Sequence, residues 1–248
     1  MTDKTAKETP GITRQRTGQR WRYFSPRGRE IVKPAKIERL GKIGLPPAYT
    51  NAWFSPDPDS PIQATGYDQR GRRQYRYQPA FRADQESDKF DRCIEFGRRL
   101  PKLRAAVERD LAGDPHDRTT VIAAVIRVLD ECRIRVGNRA YAKANKSFGA
   151  TTLLRRHMTL GRNRIVFAFI GKSGKSQTVE VHDSRVVAIV RQLIKLPGAA
   201  VFQYRCANGS VSSITPSDIN AYIQGTIGAS FSAKFFRTWL IFKKVLQL

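Results

Sequence analysis

Acidic side chains are scarce in this chain. Asp and Glu number 21 against 45 Lys and Arg, which leaves a formal net charge of +24 over 248 residues. A field of that sign and size attracts polyanions and speeds encounter with them, so nucleic acid is the expected partner. An anionic membrane fits less well, because no stretch reads as a basic amphipathic helix with a broad apolar face. Histidine is rarer still: His116, His157 and His182 are the whole set, and no two stand at ligand spacing. Cys93, Cys132 and Cys206 are odd in number and far apart, which excludes a disulfide framework and a CxxC metal site and suits a reducing compartment. Neither a metal nor another cofactor is expected. No apolar run approaches membrane-spanning length, so no membrane association is expected. The opening MTDKTAKETP is polar, with no apolar core of a secretion signal. Internal repeats and low-complexity tracts are also missing.

What is present suffices for a packed core. Hydrophobic residues make up 40% and aromatics 10%, enough to exclude global disorder. The length suits one large domain or two modest ones. Residues 1–12 read as a polar tail. From Ile12 to about Tyr77 the pattern is β-like. WRYFSPRGREI suggests a hairpin around Pro-Arg-Gly, and QATGYDQRGRRQYRYQ a second one turning at DQRG. LPPAYTNAWF and SPDPDSP are too turn-rich for helix interiors.

The character changes near Asp84, where we place a domain boundary. In DKFDRCIEFGRRLPKLRAAVERDL the apolar residues recur at helical spacing, with Pro101 expected to start a second helix. TTVIAAVIRVLDECRIRVG reads as a buried helix after a Thr119-Thr120 cap region. RIVFAFIGKSGKSQTVEV alternates around Gly-Lys-Ser-Gly-Lys, a β-hairpin with a basic tip. DSRVVAIVRQLI is helical. TPSDINAYIQGTI is a helix with a Ser217-Asp218 cap signal. The fold class is α+β: a small β-rich N-terminal domain (13–84), then a mostly α-helical domain (85–248) with a small antiparallel hairpin sheet.

Three stretches carry chemistry. Between Arg133 and Lys175 stand eleven Lys or Arg and no Asp or Glu; one-sided patches of this kind are polyanion surfaces more often than neutral ones. In RGRRQYRY, strand alternation sends Tyr75 and Tyr77 to one face with Arg73 beside them. Its arginines can neutralise phosphates while Gln74 or a tyrosine reaches sugar or base edges, although a tyrosine-lined core face would give the same pattern. GKSGKS invites a nucleotide-binding reading, but two residues separate Gly171 from Gly174 where a Walker A loop needs four, and a strand is expected to follow. No nucleotide cofactor is expected.

Taken together, RIRVGN, SFGATTLLRRH, IVFAFIGKSGK, VFQYRCANG, SDINAYI and AKFFRTW resemble the catalytic domain of bacterial and poxvirus-like type IB DNA topoisomerases. IGLPPAYTNAWF, ATGYDQRGRRQYRY and KFDRCIEFGRRLPKLRAAVERDL resemble the same family's DNA clamp and first helices. The resemblance runs in order from about Ile12 to Trp239. It implies ATP-independent relaxation of supercoiled DNA, through a tyrosine that forms a transient 3′-phosphotyrosyl link, with no required metal. It implies that Arg135 and Arg237 are the two arginines that stabilise charge on the phosphate oxygens. Lys172 matches the lysine that acts as general acid on the leaving 5′-oxygen. By the same carry-over Gln74, Tyr75 and Tyr77 match positions that touch the duplex, and Arg72, Arg73, Asn138 and Lys175 are expected to join them. The expected partner is double-stranded DNA, and the expected state is a monomer in the nucleoid-bearing cytoplasm.

The resemblance fades after FRTW. The family places a further phosphate-binding His or Lys, then the nucleophile, several turns beyond it; LIFKKVLQL contains neither Tyr nor His. Phe235 stands where an aspartate is usual. Tyr141, Tyr204 and Tyr222 lie upstream, outside the nucleophile's context. The expectation is a C-terminally truncated relative that binds DNA but cleaves poorly or not at all, with apolar surface exposed near Trp239–Leu248. A non-enzymatic duplex-binding protein is one alternative. A tyrosine recombinase is another, opposed by the GYDQRGRRQYRY clamp and by the lack of an HxxR around the second arginine.

Overall fold

The computed structural model describes residues 10–18 and 20–245, the side chains of 83–87 and 243–245 excepted. Most of the tail expected over 1–12 therefore lies outside the described residues. At its inner end Ile12 is fully buried and opens the first strand. The chain divides into two compact units, Met1–Lys89 and Phe90–Leu248.

The described residues of the first unit form a five-stranded antiparallel sheet, one short helix and the start of a long second helix. Its strands are β1 (Ile12–Thr17), β2 (Arg20–Phe24), β3 (Thr50–Phe54), β4 (Ile62–Tyr67) and β5 (Arg73–Tyr77), in the order β2-β1-β3-β4-β5. The hairpin expected in WRYFSPRGREI is only partly formed. β2 pairs along its length with β1, and beyond the turn at 25–28 only a Phe24–Glu30 bridge remains. ITRQRT is a longer partner than REI, pairing with β2 at five positions, so it takes the ladder. The expected β-like run also conceals a helix, α1 (Pro34–Lys42). Proline at its first turn suits a helix start, and Ile37 and Leu40, three apart, turn the same side to the sheet. The core is Ile12, Tyr23, Leu40, Leu45, Phe54 and Ala64, with Tyr23 edge-on to Phe54 at 5.5 Å.

Helix α2 (Pro79–Asp110) begins before the expected change at Asp84 and continues through Pro101 as one 32-residue element. The missing Pro101 N–H forfeits one ladder bond, to the Gly97 carbonyl. Packing outweighs that loss: Phe96, Leu100, Leu103 and Val107 on either side of Pro101 are all buried. Gly97 also leaves room for the Trp239 ring, which occupies the space a side chain would fill.

The rest of the second unit comprises α3 (Arg118–Cys132), α4 (Arg139–Asn145), a sheet of β6 (Met158–Leu160), β7 (Ile165–Ile170) and β8 (Ser176–Val181), α5 (Ser184–Leu193), the ribbon β9 (Gln203–Arg205) and β10 (Val211–Ser213), α6 (Pro216–Ile227) and α7 (Lys234–Val245). α3 is the central post, buried from Thr120 to Ile126 and again at Val128 and Leu129. A helix whose middle is apolar on every side, as 121–126 is, is a core helix. Its cap is Asp117, not the Thr119-Thr120 pair: the Asp117 carboxylate accepts from the Arg118 amide at 3.0 Å, while Thr120 is buried inside the helix. Likewise α6 is capped by Thr215, and Asp218 is the reciprocal member of the capping box. The expected β7–β8 hairpin is present in full register from Ile165↔Val181 to Ile170↔Ser176. This α+β arrangement is the one read from the sequence.

Candidate functional site

In the second unit the site grows from the end of α3. Arg133 closes the helix in the left-handed conformation (φ 55°), its N–H donating to the Leu129 carbonyl. The chain then runs extended through Ile134, which is buried, so that alternation turns Arg135 outward. This segment is fixed by 149–152. The Ala150 amide donates to the Arg135 carbonyl and the Thr151 amide to the Val136 carbonyl, both at 2.8 Å. Gly149 sits so close that a Cβ there would lie 2.4 Å from the Arg135 carbonyl oxygen.

One residue back, the Phe148 amide donates to the Ile170 carbonyl at 2.8 Å, tying the same loop to the end of β7. Lys172 stands two residues further on, exposed at the hairpin tip. Ser173 (φ 65°) and Gly174 (φ 73°) reverse the chain, and the Gly171 amide donates to the Lys175 carbonyl at 2.8 Å. Lys172 and Lys175 are thus on one tip, and a strand follows it. Asn138 caps α4, its side chain accepting from the Tyr141 amide at 3.2 Å. That bond commits the Asn138 oxygen and leaves its amide nitrogen as the outward donor.

Arg237 comes from α7. Phe236 is buried edge-on against Phe96, and Phe235 stacks on the same ring at 5.4 Å, which sets how the helix presents Arg237. Phe235 is therefore a core residue here. The two arginines feel one another: the Arg135 guanidinium is held below its usual pKa first by burial and then by the positive charge of Arg237. Among the described residues neither makes an ion pair or a side-chain hydrogen bond. Two cations close enough to feel one another, with no carboxylate paired to either among the described residues, suit an anion between them.

The upstream tyrosines are placed otherwise. The Tyr222 hydroxyl donates to Asp110 at 2.6 Å, and burial followed by that bond pushes its pKa up, away from nucleophilic use. Tyr204 lies under Arg118 (6.0 Å), and Tyr141 is 58% exposed on α4. The Cys93 and Cys132 thiols are pushed up by burial to about 11 and about 12, so both stay protonated at neutral pH. The sequence reading missed an open depression lined by Arg139, Lys143, Lys146, Phe148 and Arg156, with Arg156 over the Phe148 ring at 5.8 Å. The one-sided charge of 133–175 was its only signal. Near Trp239–Leu248, Ile241 is exposed and Phe242 packs on Phe90 at 4.9 Å; the side chains beyond lie outside the described residues.

In the first unit the candidate residues sit on the β4–β5 hairpin. Tyr75 and Tyr77 stack on one face, 6.1 Å apart and 13° from parallel, with the Arg73 guanidinium 5.2 Å above Tyr75. Arg72 and Gln74 both bind the carboxylate of Asp68, at 2.9 and 3.0 Å. The sequence reading used Asp68 only as a turn residue.

Two family models match this chain. Residues 78–246 fit the catalytic core of eukaryotic DNA topoisomerase I, and residues 20–68 fit the N-terminal domain of bacterial DNA topoisomerase IB. The chain belongs to the type IB DNA topoisomerase family. DNA topoisomerase 1B of Acanthamoeba polyphaga mimivirus is 35% identical over 233 residues, 92% of this chain and 69% of that protein. DNA topoisomerase 1B of vaccinia virus (strain Copenhagen) is 26% identical over 132 residues, 53% of this chain and 41% of its own length. Among solved structures, the XerH site-specific recombinase in a pre-cleavage complex with its difH substrate aligns over 59% of this chain and 42% of its own. The TM-score is 0.40 and the identity 14%, too slight a likeness to argue from. The topoisomerase models cover both units of the chain, each in its own part.

Proposed function

We propose that this type IB topoisomerase chain binds double-stranded DNA as a monomer, without a nucleotide cofactor. Residues 13–84 form its clamp, and residues 85–248 hold the scissile phosphate. Arg135 and Arg237 neutralise charge on the non-bridging oxygens, and Lys172 gives its proton to the 5′-oxygen as that oxygen leaves. The attacking group is a tyrosine hydroxyl, which loses its proton to water as its oxygen bonds to phosphorus and the bond from phosphorus to the 5′-oxygen breaks; religation reverses both changes. The observation that carries this reading is that Arg135 feels the charge of Arg237 while neither guanidinium has an ion-pair partner among the described residues. A phosphodiester in flight adds negative charge at its oxygens, and preorganised cations there stabilise it at no further reorganisation cost.

The nucleophile is not among Tyr141, Tyr204 and Tyr222. In-line attack requires placement within about an ångström, and Tyr222 is bound to Asp110. These 248 residues are therefore expected to bind duplex DNA and to form no covalent link to it through those three tyrosines. Binding should weaken about a thousandfold between roughly 50 and 200 mM salt if ~6 phosphates are neutralised. Incubated with supercoiled and nicked DNA and then denatured, it should leave no protein-linked DNA. Salt-insensitive binding would remove the clamp. An adduct abolished by Tyr141→Phe, Tyr204→Phe or Tyr222→Phe would show that an upstream tyrosine attacks.

A further inference from the structure

The β4–β5 turn is built around one carboxylate. Asp68 Oδ1 accepts from the backbone amides of Arg70 (2.9 Å) and Arg72 (3.0 Å). Its Oδ2 accepts from Arg72 Nε at 2.9 Å, Arg72 Nη2 at 2.7 Å and Gln74 Nε2 at 3.0 Å. The backbone closes the same turn, Asp68 donating to the Arg72 carbonyl and Gly71 to the Asp68 carbonyl. The Asp68 side chain is only 12% exposed, although the arginines around it face solvent. An acid so placed in a strongly basic protein opposes polyanion binding, so its presence calls for a compensating role.

Chemistry supplies one. An ionised carboxylate can only accept, so the end of the Gln74 amide that faces Asp68 must be the nitrogen. That removes the two-fold ambiguity of the amide. One N–H is committed to Asp68, and the Gln74 carbonyl and second N–H are held ready as an acceptor and donor for a base edge. Arg72 and the Arg70 amide hold the carboxylate ionised: the Asp68 pKa is lowered to about 2, first by its bond to the Arg72 side chain. Its orientation therefore persists across the whole working pH range.

We propose that Asp68 is a positioning residue for DNA sequence discrimination: it fixes the Gln74 amide and the Arg72 guanidinium so that the hairpin tip reads a base edge, at a cost in bulk affinity. This rests on the reading that the hairpin meets duplex DNA.

Asp68→Asn tests it in the full chain. The asparagine keeps an oxygen for the Arg70 and Arg72 amides, so the turn still folds. Its amide nitrogen, however, faces the nitrogen of Gln74, and donor meets donor. A pool of randomised duplexes is bound, the bound fraction sequenced, and salt titrations are run on a best and a random duplex. Asp68→Asn should bind the random duplex as tightly as the parent or about threefold tighter, since one negative charge is gone. Its preference for the best over the random duplex should fall roughly tenfold, the worth of one bidentate contact. Gln74→Ala should lose the same preference, and the double variant no more than either. A merely structural role for Asp68 would instead weaken both duplexes together and overturn the proposal. Preference retained in Asp68→Asn but lost in Gln74→Ala overturns the role of Asp68 alone. Preference retained in Gln74→Ala overturns the base-reading hairpin and the proposal with it, and loss of all duplex binding by the parent overturns the clamp.

Discussion

The molecule carries two basic hairpins, and they are built in opposite ways. The β4–β5 tip, DQRGR, contains an acid that binds its arginine and glutamine side chains and two of its backbone amides. The β7–β8 tip, GKSGK, contains no acid. A 3-10 turn over Lys172–Gly174 and the Gly171–Lys175 backbone bond close it, and Ser173 adopts a left-handed conformation that costs a non-glycine residue about 1 kcal/mol or more. One tip is organised by side-chain bonds and the other is left with its lysines exposed. That difference matches the two tasks proposed for them. Recognition needs donors held at fixed angles. Proton delivery needs a cationic group that can approach a leaving oxygen and then withdraw.

The largest test of this contrast is kinetic. In a chain extended by a type IB nucleophile segment, Lys172→Ala should slow covalent adduct formation on the order of a hundredfold or more while duplex affinity stays within about twofold. Arg135→Ala and Arg237→Ala should each slow it by a similar factor, as lost oxyanion donors do. Single-turnover cleavage of a labelled duplex reads all three. A 5′-bridging phosphorothiolate, whose leaving sulfur needs no proton, should rescue Lys172→Ala and neither arginine variant. If Lys172→Ala weakens binding as much as cleavage, the β7–β8 tip is a clamp like the other, and the contrast falls.

The next test concerns how Arg135 is held. Gly149→Ala would place a methyl 2.4 Å from the Arg135 carbonyl oxygen and 2.6 Å from the Gly137 nitrogen, both backbone atoms that cannot rotate away. Overpacking of this kind costs about 1–3 kcal/mol. Urea melts of the second unit should show that loss, and cleavage in the extended chain should fall with it as Arg135 moves. A silent Gly149→Ala would mean that the 149–152 segment does not position the arginine.

Much of this was legible in the sequence, for physical reasons that can be named. Long apolar runs such as IVFAFI and VIAAVIRVL could be placed because only buried elements carry them, and their lengths separate strand from helix. Errors fell where a local signal competed with packing. Pro101 marks a helix start, yet buried neighbours on both sides carry α2 through it. Thr119-Thr120 and Ser217-Asp218 offered the right cap chemistry two to three residues from the residues that cap, Asp117 and Thr215. Pro34–Lys42 is short and flanked by turns, so its helical face was lost among β-like neighbours. Of the site, Arg135, Lys172 and Arg237 were named from motif resemblance. Their residue types alone would have read as surface charge. Asp68 went unread because its partners lie two to six residues away and only a folded turn brings them to one carboxylate.

The smallest effect separates the hairpins most directly. Gly71 (φ 67°) and Gly174 (φ 73°) hold corresponding left-handed positions at the two tips, and a side chain at either would meet open space. Alanine at each therefore tests backbone strain alone, about 1 kcal/mol for an L-residue in that conformation. At the β4–β5 tip the strain cannot be relieved without breaking the bonds from Asp68 to Arg70, Arg72 and Gln74, so Gly71→Ala should show close to the full cost. At the β7–β8 tip few bonds oppose a local adjustment, so Gly174→Ala should cost about half as much or less. Denaturant midpoints of the two units, read separately by hydrogen exchange at β4 and β7, measure both. Equal losses would mean that the two tips are equally constrained, and the carboxylate at position 68 would then add nothing to the rigidity of the first.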